Sequence, residues 1–126
     1  MTSLPLALFT VGRLCLMGGM IWGVVMGSTQ DFTMAPAHAH LNLLGWASLG
    51  LMGTFYALSG KGGRLGWINF WLSTLGVAVM VPFLVMVLNG RKAAEGGIIA
   101  GATLAMLGMA TFLLVVLSAW RDAKAA

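Results

Sequence analysis

Four long apolar stretches, separated by short polar clusters, run through the sequence. They extend from about Leu4 to Gly27, Pro36 to Leu58, Leu65 to Leu88 and Gly96 to Trp120. Each is roughly 23 to 25 residues long, which at ~1.5 Å rise per residue crosses the ~30 Å hydrocarbon core with modest tilt. Backbone polar groups in lipid must be satisfied within the segment, so the stretches read as helices. The connections, Ser28–Ala35, Ser59–Arg64 and Asn89–Glu95, are short. Consecutive helices are therefore antiparallel neighbours. The pattern predicts an all-α integral membrane four-helix bundle, with residues 1–126 as a single transmembrane domain.

Composition strengthens this reading. Of the 126 residues 60% are hydrophobic and 8% charged, and the mean hydropathy is +0.95. A soluble domain is about half apolar and a quarter charged, and one of this size leaves too much of its chain exposed to hide so much apolar surface. The first stretch lacks a preceding basic region and is too long for a signal peptide, so no cleaved leader is expected. The single cysteine, Cys15, excludes an intramolecular disulfide and any CxxC site, and is expected to act as a small apolar core residue.

The net charge of +4 comes from seven Lys/Arg against three Asp/Glu. Most of these lie at segment ends and read as topology determinants rather than as a nucleic-acid surface. The side holding the N-terminus, the Ser59–Arg64 loop and the C-terminal tail carries Lys61, Arg64, Arg121 and Lys124. The opposite side carries Arg91 and Lys92, and its first loop only Asp31. This bias predicts that both termini are cytoplasmic, with Trp67, Trp71 and Trp120 near the cytoplasmic interface; the expected location is a bacterial inner membrane. Arg13, inside the first stretch, is expected to snorkel to that interface.

His38 and His40, the only histidines, open the second helix on the external side. Ionisable residues within a span are costly and mark function, and imidazole is a common ligand for heme iron, zinc and copper. On an α-helix, residues two apart are separated by about 200° and point to nearly opposite faces. Two different sites would then be served, as hemes wedged between helices require. If Pro36 instead held the segment extended, both rings would share one face and could chelate a single zinc or copper ion. A bis-histidine heme within one chain would need a facing histidine on another helix. The second ligand must therefore be one of the ten Met or a histidine of a neighbouring chain. In a ring of copies, His38 of one protomer could meet His40 of the next. Asn42, one turn after His38, is placed to orient that imidazole.

The stretch His38-Ala39-His40-Leu41-Asn42-Leu43-Leu44-Gly45-Trp46, followed by Gly53-Thr54-Phe55-Tyr56, resembles helices of the catalytic subunit of heme–copper oxidases and nitric oxide reductases. It looks closest to small four-span proteins related to that subunit. In that subunit twelve helices form three arcs of four, and one arc carries a His-x-His whose members ligate two different hemes. The resemblance implies that this chain corresponds to one arc, that His38 and His40 bind heme, and that a homotrimer rebuilds the twelve-helix barrel. It also implies that Arg91 and Lys92 pair with heme propionates. The chain departs from the family in having no further histidine cluster for copper, and its one tyrosine, Tyr56, lies about four turns from His40. A copper–heme oxygen-reducing centre is not expected.

The function read from these features is a membrane b-type cytochrome, with heme b held through His38 and His40, in electron transfer or diatomic gas binding. No general base, nucleophile or oxyanion donor set is apparent. A zinc- or copper-binding membrane protein and a non-catalytic assembly subunit are the alternatives. Small residues at Gly19-Gly23-Gly27 and Gly97-Gly101 favour close helix packing, within or between chains.

Overall fold

The computed structural model describes residues 3–126. Four helices are long and apolar enough to cross a membrane: α1 Ser3–Thr29, α2 Ala35–Ser59, α3 Gly63–Leu88 and α4 Lys92–Ala125. All four expected spans are present, with ends that match the apolar stretch, as at Leu88, or run a few residues beyond it; the largest extension is in α4, which opens with a 3-10 turn at Lys92–Ala94. The turn between α2 and α3 uses Gly60 at φ 65° and Gly62 at φ 139°, the left-handed region where glycine carries no Cβ penalty. Pro82 sits inside α3 without ending it, as membrane helices tolerate.

α1 packs on α2, α2 on α3, and α3 on α4, whereas α1 and α4 share no packed seam. The helices thus form an open row rather than a closed ring. Large apolar side chains point outward along the row: Val24 is 70% exposed, Leu51 73% and Met106 72%. Such a surface is compatible with lipid contact, because exposed patches of this extent are rare on soluble monomers.

Small residues let the helices approach. A Cβ on Gly101 would lie 2.5 Å from the Met80 backbone nitrogen, one on Gly76 2.7 Å from that of Ala105, and one on Gly108 2.4 Å from Ser73 Oγ. The Gly97–Gly101 stripe therefore serves the α3–α4 seam of this chain. Gly19 and Gly23 are used within the chain as well, against α2, whereas nothing lies within 4 Å of a Cβ on Gly27.

The core gathers towards the end holding the termini, from Leu4, Leu8, Leu49, Met52, Tyr56, Phe70 and Val115. A buried polar group runs through it. Tyr56 Oη donates to Asn69 Oδ1 at 3.0 Å, and Asn69 Nδ2 donates to the Gly108 carbonyl at 2.8 Å and to Ser73 Oγ at 3.2 Å. One fully buried carboxamide thereby joins α2, α3 and α4. Replacing Asn69 with alanine leaves the Tyr56 hydroxyl and the Gly108 carbonyl without these partners in an apolar setting. The expected cost is about 1–2 kcal/mol, read as an earlier thermal unfolding midpoint in detergent, and Asn69→Asp should not restore the bond to the carbonyl.

At the same end Lys61 pairs with Asp122, tying the α2–α3 turn to the tail of α4. Lys124 lies 4.0 Å over the Trp120 ring. Arg13 is exposed on α1 and shares a shallow groove with Leu6, Phe9 and Thr10. Those residues lie one to two turns towards the N-terminus, the direction that snorkelling requires.

Candidate functional site

His38 and His40 lie in the first turns of α2. Pro36 occupies the opening turn, where its missing N–H would be unsatisfied anyway, and the segment Ala35–His40 is α-helical rather than extended. The two imidazoles therefore leave the helix on different flanks. This removes the extended conformation on which chelation of a single zinc or copper ion by both histidines depended. Among the described residues, no three His, Cys, Asp or Glu side chains come together where they could share a metal ion.

His40 is exposed, and its Nδ1 lies 2.7 Å from the Pro36 carbonyl. A carbonyl only accepts, so Nδ1 carries the proton in that bond. In the neutral ring Nε2 then holds the lone pair, on the outward side of the helix. A ligating histidine commonly has this arrangement, with the far nitrogen anchored on a carbonyl and the near one free for metal.

His38 is half-buried and turned towards α1. Its ring meets Trp22 edge to face, with centroids 6.4 Å apart, and a Cβ on Gly23 would stand 3.3 Å from His38 Cε1. Asn42 Nδ2 donates to the His38 carbonyl at 3.1 Å and lies 3.2 Å and 3.4 Å from the two ring nitrogens. The amide is within hydrogen-bond reach of the ring as well as of the carbonyl. Asn42 thus braces His38, and Gly19 makes room for it, since a Cβ there would fall 2.1 Å from Asn42 Oδ1. Gly19 and Gly23 accommodate Asn42 and His38 respectively.

Arg91 and Lys92 are exposed in the turn between α3 and α4. That turn lies at the same end as the histidines, because Asn89 just before it shares a cleft with the α1–α2 loop. Among the described residues neither has an ion-pair partner, and neither hydrogen-bonds to an imidazole. The structure brings together His38 and Asn42, sets His40 apart, and leaves the basic pair free at the rim.

One feature near the site has no counterpart in the apolar pattern. Immediately after His40, residues Leu41–Ser48 form a π-helix, with the Ser48 hydroxyl donating to the Leu43 carbonyl five residues back at 2.9 Å. Such segments are rare and concentrate at functional sites. Here the wider turns change the register between the histidines and the lower half of α2, so that Gly45 faces Cys15 of α1 while Met52 and Tyr56 face the core.

No protein-family model, curated protein or solved structure matches the chain.

Proposed function

We propose that the protein is a membrane b-type cytochrome in which His38 and His40 would hold heme b, the two histidines of any one heme coming from two copies of the chain. The observation that carries this reading is the pair of imidazoles on different flanks of one helix, one of them anchored through Nδ1 with Nε2 outward. A single chain offers no second imidazole to face either ring, so pairing requires another copy. The open row of helices supports that requirement, because it leaves unpacked edges along which copies can meet. A homotrimer, the assembly implied by the one-arc resemblance, closes such a ring. The same reading puts the chain in a bacterial inner membrane with both termini cytoplasmic.

The chain's own residues have definable parts in this. The Pro36 carbonyl fixes the His40 tautomer and raises the basicity of Nε2. Asn42, Trp22 and Gly23 hold His38 in one orientation. Arg91 and Lys92, unpaired at the rim, offer charge-assisted hydrogen bonds to propionate groups. Bound heme would supply an iron that exchanges one electron between ferric and ferrous states, its potential set by ligand identity and burial. Held by two imidazoles, such a heme would be suited to electron transfer rather than to gas binding.

The test is the optical spectrum of protein prepared with heme available, oxidised and dithionite-reduced, with a pyridine hemochrome count. The expected result is sharp reduced bands at about one heme per chain, the ratio that two shared ligands per chain require. A colourless protein would overturn the reading.

A further inference from the structure

A cleft of about 350 Å³ opens at the histidine end, lined by Trp22, Met26, Asp31, Thr33, Met34 and Asn89 among others. It lies between the last turns of α1, the α1–α2 loop and the end of α3. Its one charged side chain is Asp31. Both protein hydrogen bonds to that carboxylate fall on Oδ1: the Thr33 backbone N–H at 3.0 Å and the Thr33 hydroxyl at 2.6 Å. Oδ2 has no partner among the described residues, whose one ion pair is Lys61–Asp122 at the opposite end. The hydroxyl and backbone bonds hold the Asp31 carboxyl below its usual range, so it is anionic at neutral pH.

A free carboxylate oxygen, an indole and two thioethers around one recess suit a cation with apolar substituents. Indole faces attract such cations, and thioether side chains pack on their methylene or methyl groups. The volume is far larger than a single metal ion needs, and an anion would meet Asp31. Position selects among organic cations. α1 has 27 residues, about 40 Å of helix against a ~30 Å hydrocarbon core, so its ends reach headgroup level. Phe32, beside Asp31, is 54% exposed there, as an interfacial aromatic would be.

We propose that this cleft binds the ammonium group of a zwitterionic phospholipid headgroup, with Asp31 Oδ2 as its counter-ion and Trp22 as its aromatic wall; phosphatidylethanolamine is the probe. Neither His38 nor His40 lines the cleft. Trp22 also meets the His38 ring, so Asp31, which hydrogen-bonds to neither histidine, carries the decisive variants.

The experiment presents detergent-purified protein with equal amounts of phosphatidylethanolamine and phosphatidylglycerol of matched chains, and counts retained lipids by native mass spectrometry. Wild type is expected to retain phosphatidylethanolamine preferentially. Asp31→Asn, which keeps the acceptor for Thr33, should lower that retention about tenfold, the effect of losing ~1.4 kcal/mol. Asp31→Glu should preserve it, and Trp22→Leu should weaken it. Equal retention of both lipids, or an Asp31→Asn variant that retains phosphatidylethanolamine as wild type does, would overturn the proposal. Binding of soluble choline or ethanolamine without retention of the lipid would overturn it too, by making the occupant a free ammonium compound.

Discussion

Replacing His38 or His40 with alanine, one at a time, is expected to remove the heme absorption entirely or convert it to a weak, ligand-deficient form, with the same outcome for either residue. The symmetry of the result matters more than its size. If each heme takes one imidazole from each of two copies, every heme in the ring depends on both positions. Removing one type of ligand then disturbs every site. If the two histidines served separate functions, one variant would lose the chromophore and the other would keep it. Neither substitution should unfold the protein. His40 is exposed and bonds within its own turn, and His38 contacts α1 at the half-buried end of the row. Reduced-minus-oxidised spectra of both variants, alongside their unfolding midpoints, separate ligand loss from collapse.

The second large effect lies in the scaffold. Gly101→Val is expected to destabilise the α3–α4 hairpin by about 1–3 kcal/mol or more. A Cβ at that position falls 2.5 Å from the Met80 backbone nitrogen and 2.7 Å from its Cα. Backbone atoms cannot swing aside as a flexible side chain can, so α4 must move outward and surrender contacts along the seam. Gly27→Ala provides the control. Nothing lies within 4 Å of its Cβ, so only the helix preference for alanine operates, neutral to stabilising by up to about 1 kcal/mol. Thermal or denaturant unfolding in the same detergent should move in opposite directions for the two variants. A Gly101→Val protein as stable as wild type would mean that the seam is looser than its geometry indicates.

These two effects divide what the chain declares openly from what it does not. The spans were legible because a membrane helix must be apolar for its whole length, and loops as short as Ser59–Arg64 leave little choice of neighbour. The opposed flanks of His38 and His40 followed from a spacing of two on a helix, once Ala35–His40 is helical. The glycine stripes showed that helices approach closely, but not which ones. A missing Cβ is compatible with a partner in the same chain or another, and only the assembled contacts place Gly97 and Gly101 on α3 and Gly19 under Asn42. The polar network around Asn69 had no sequence signal, since its partners Tyr56 and Gly108 come from two other helices. The π-helical turns at Leu41–Ser48 carry no apolar signature, since in eight residues a wider helix and an α-helix bury similar positions. The pairing of Lys61 with Asp122 joins residues 61 positions apart, beyond any local pattern.

The measurement that reaches the central claim most directly is co-expression of the His38→Ala and His40→Ala chains, followed by the heme count of the mixed protein. Neither variant alone can build a site that needs both residues. In a mixed ring, a His40→Ala copy still offers His38 and a His38→Ala copy still offers His40. Where they meet in the right order, a complete site forms. Random mixing predicts that about a quarter of the sites recover, the product of two even chances at each interface between copies. Recovery of heme to about that level, absent from each variant purified alone, is the result that cross-chain ligation by His38 and His40 predicts. A mixed protein as colourless as its parents, from variants that both fold and assemble, would contradict it.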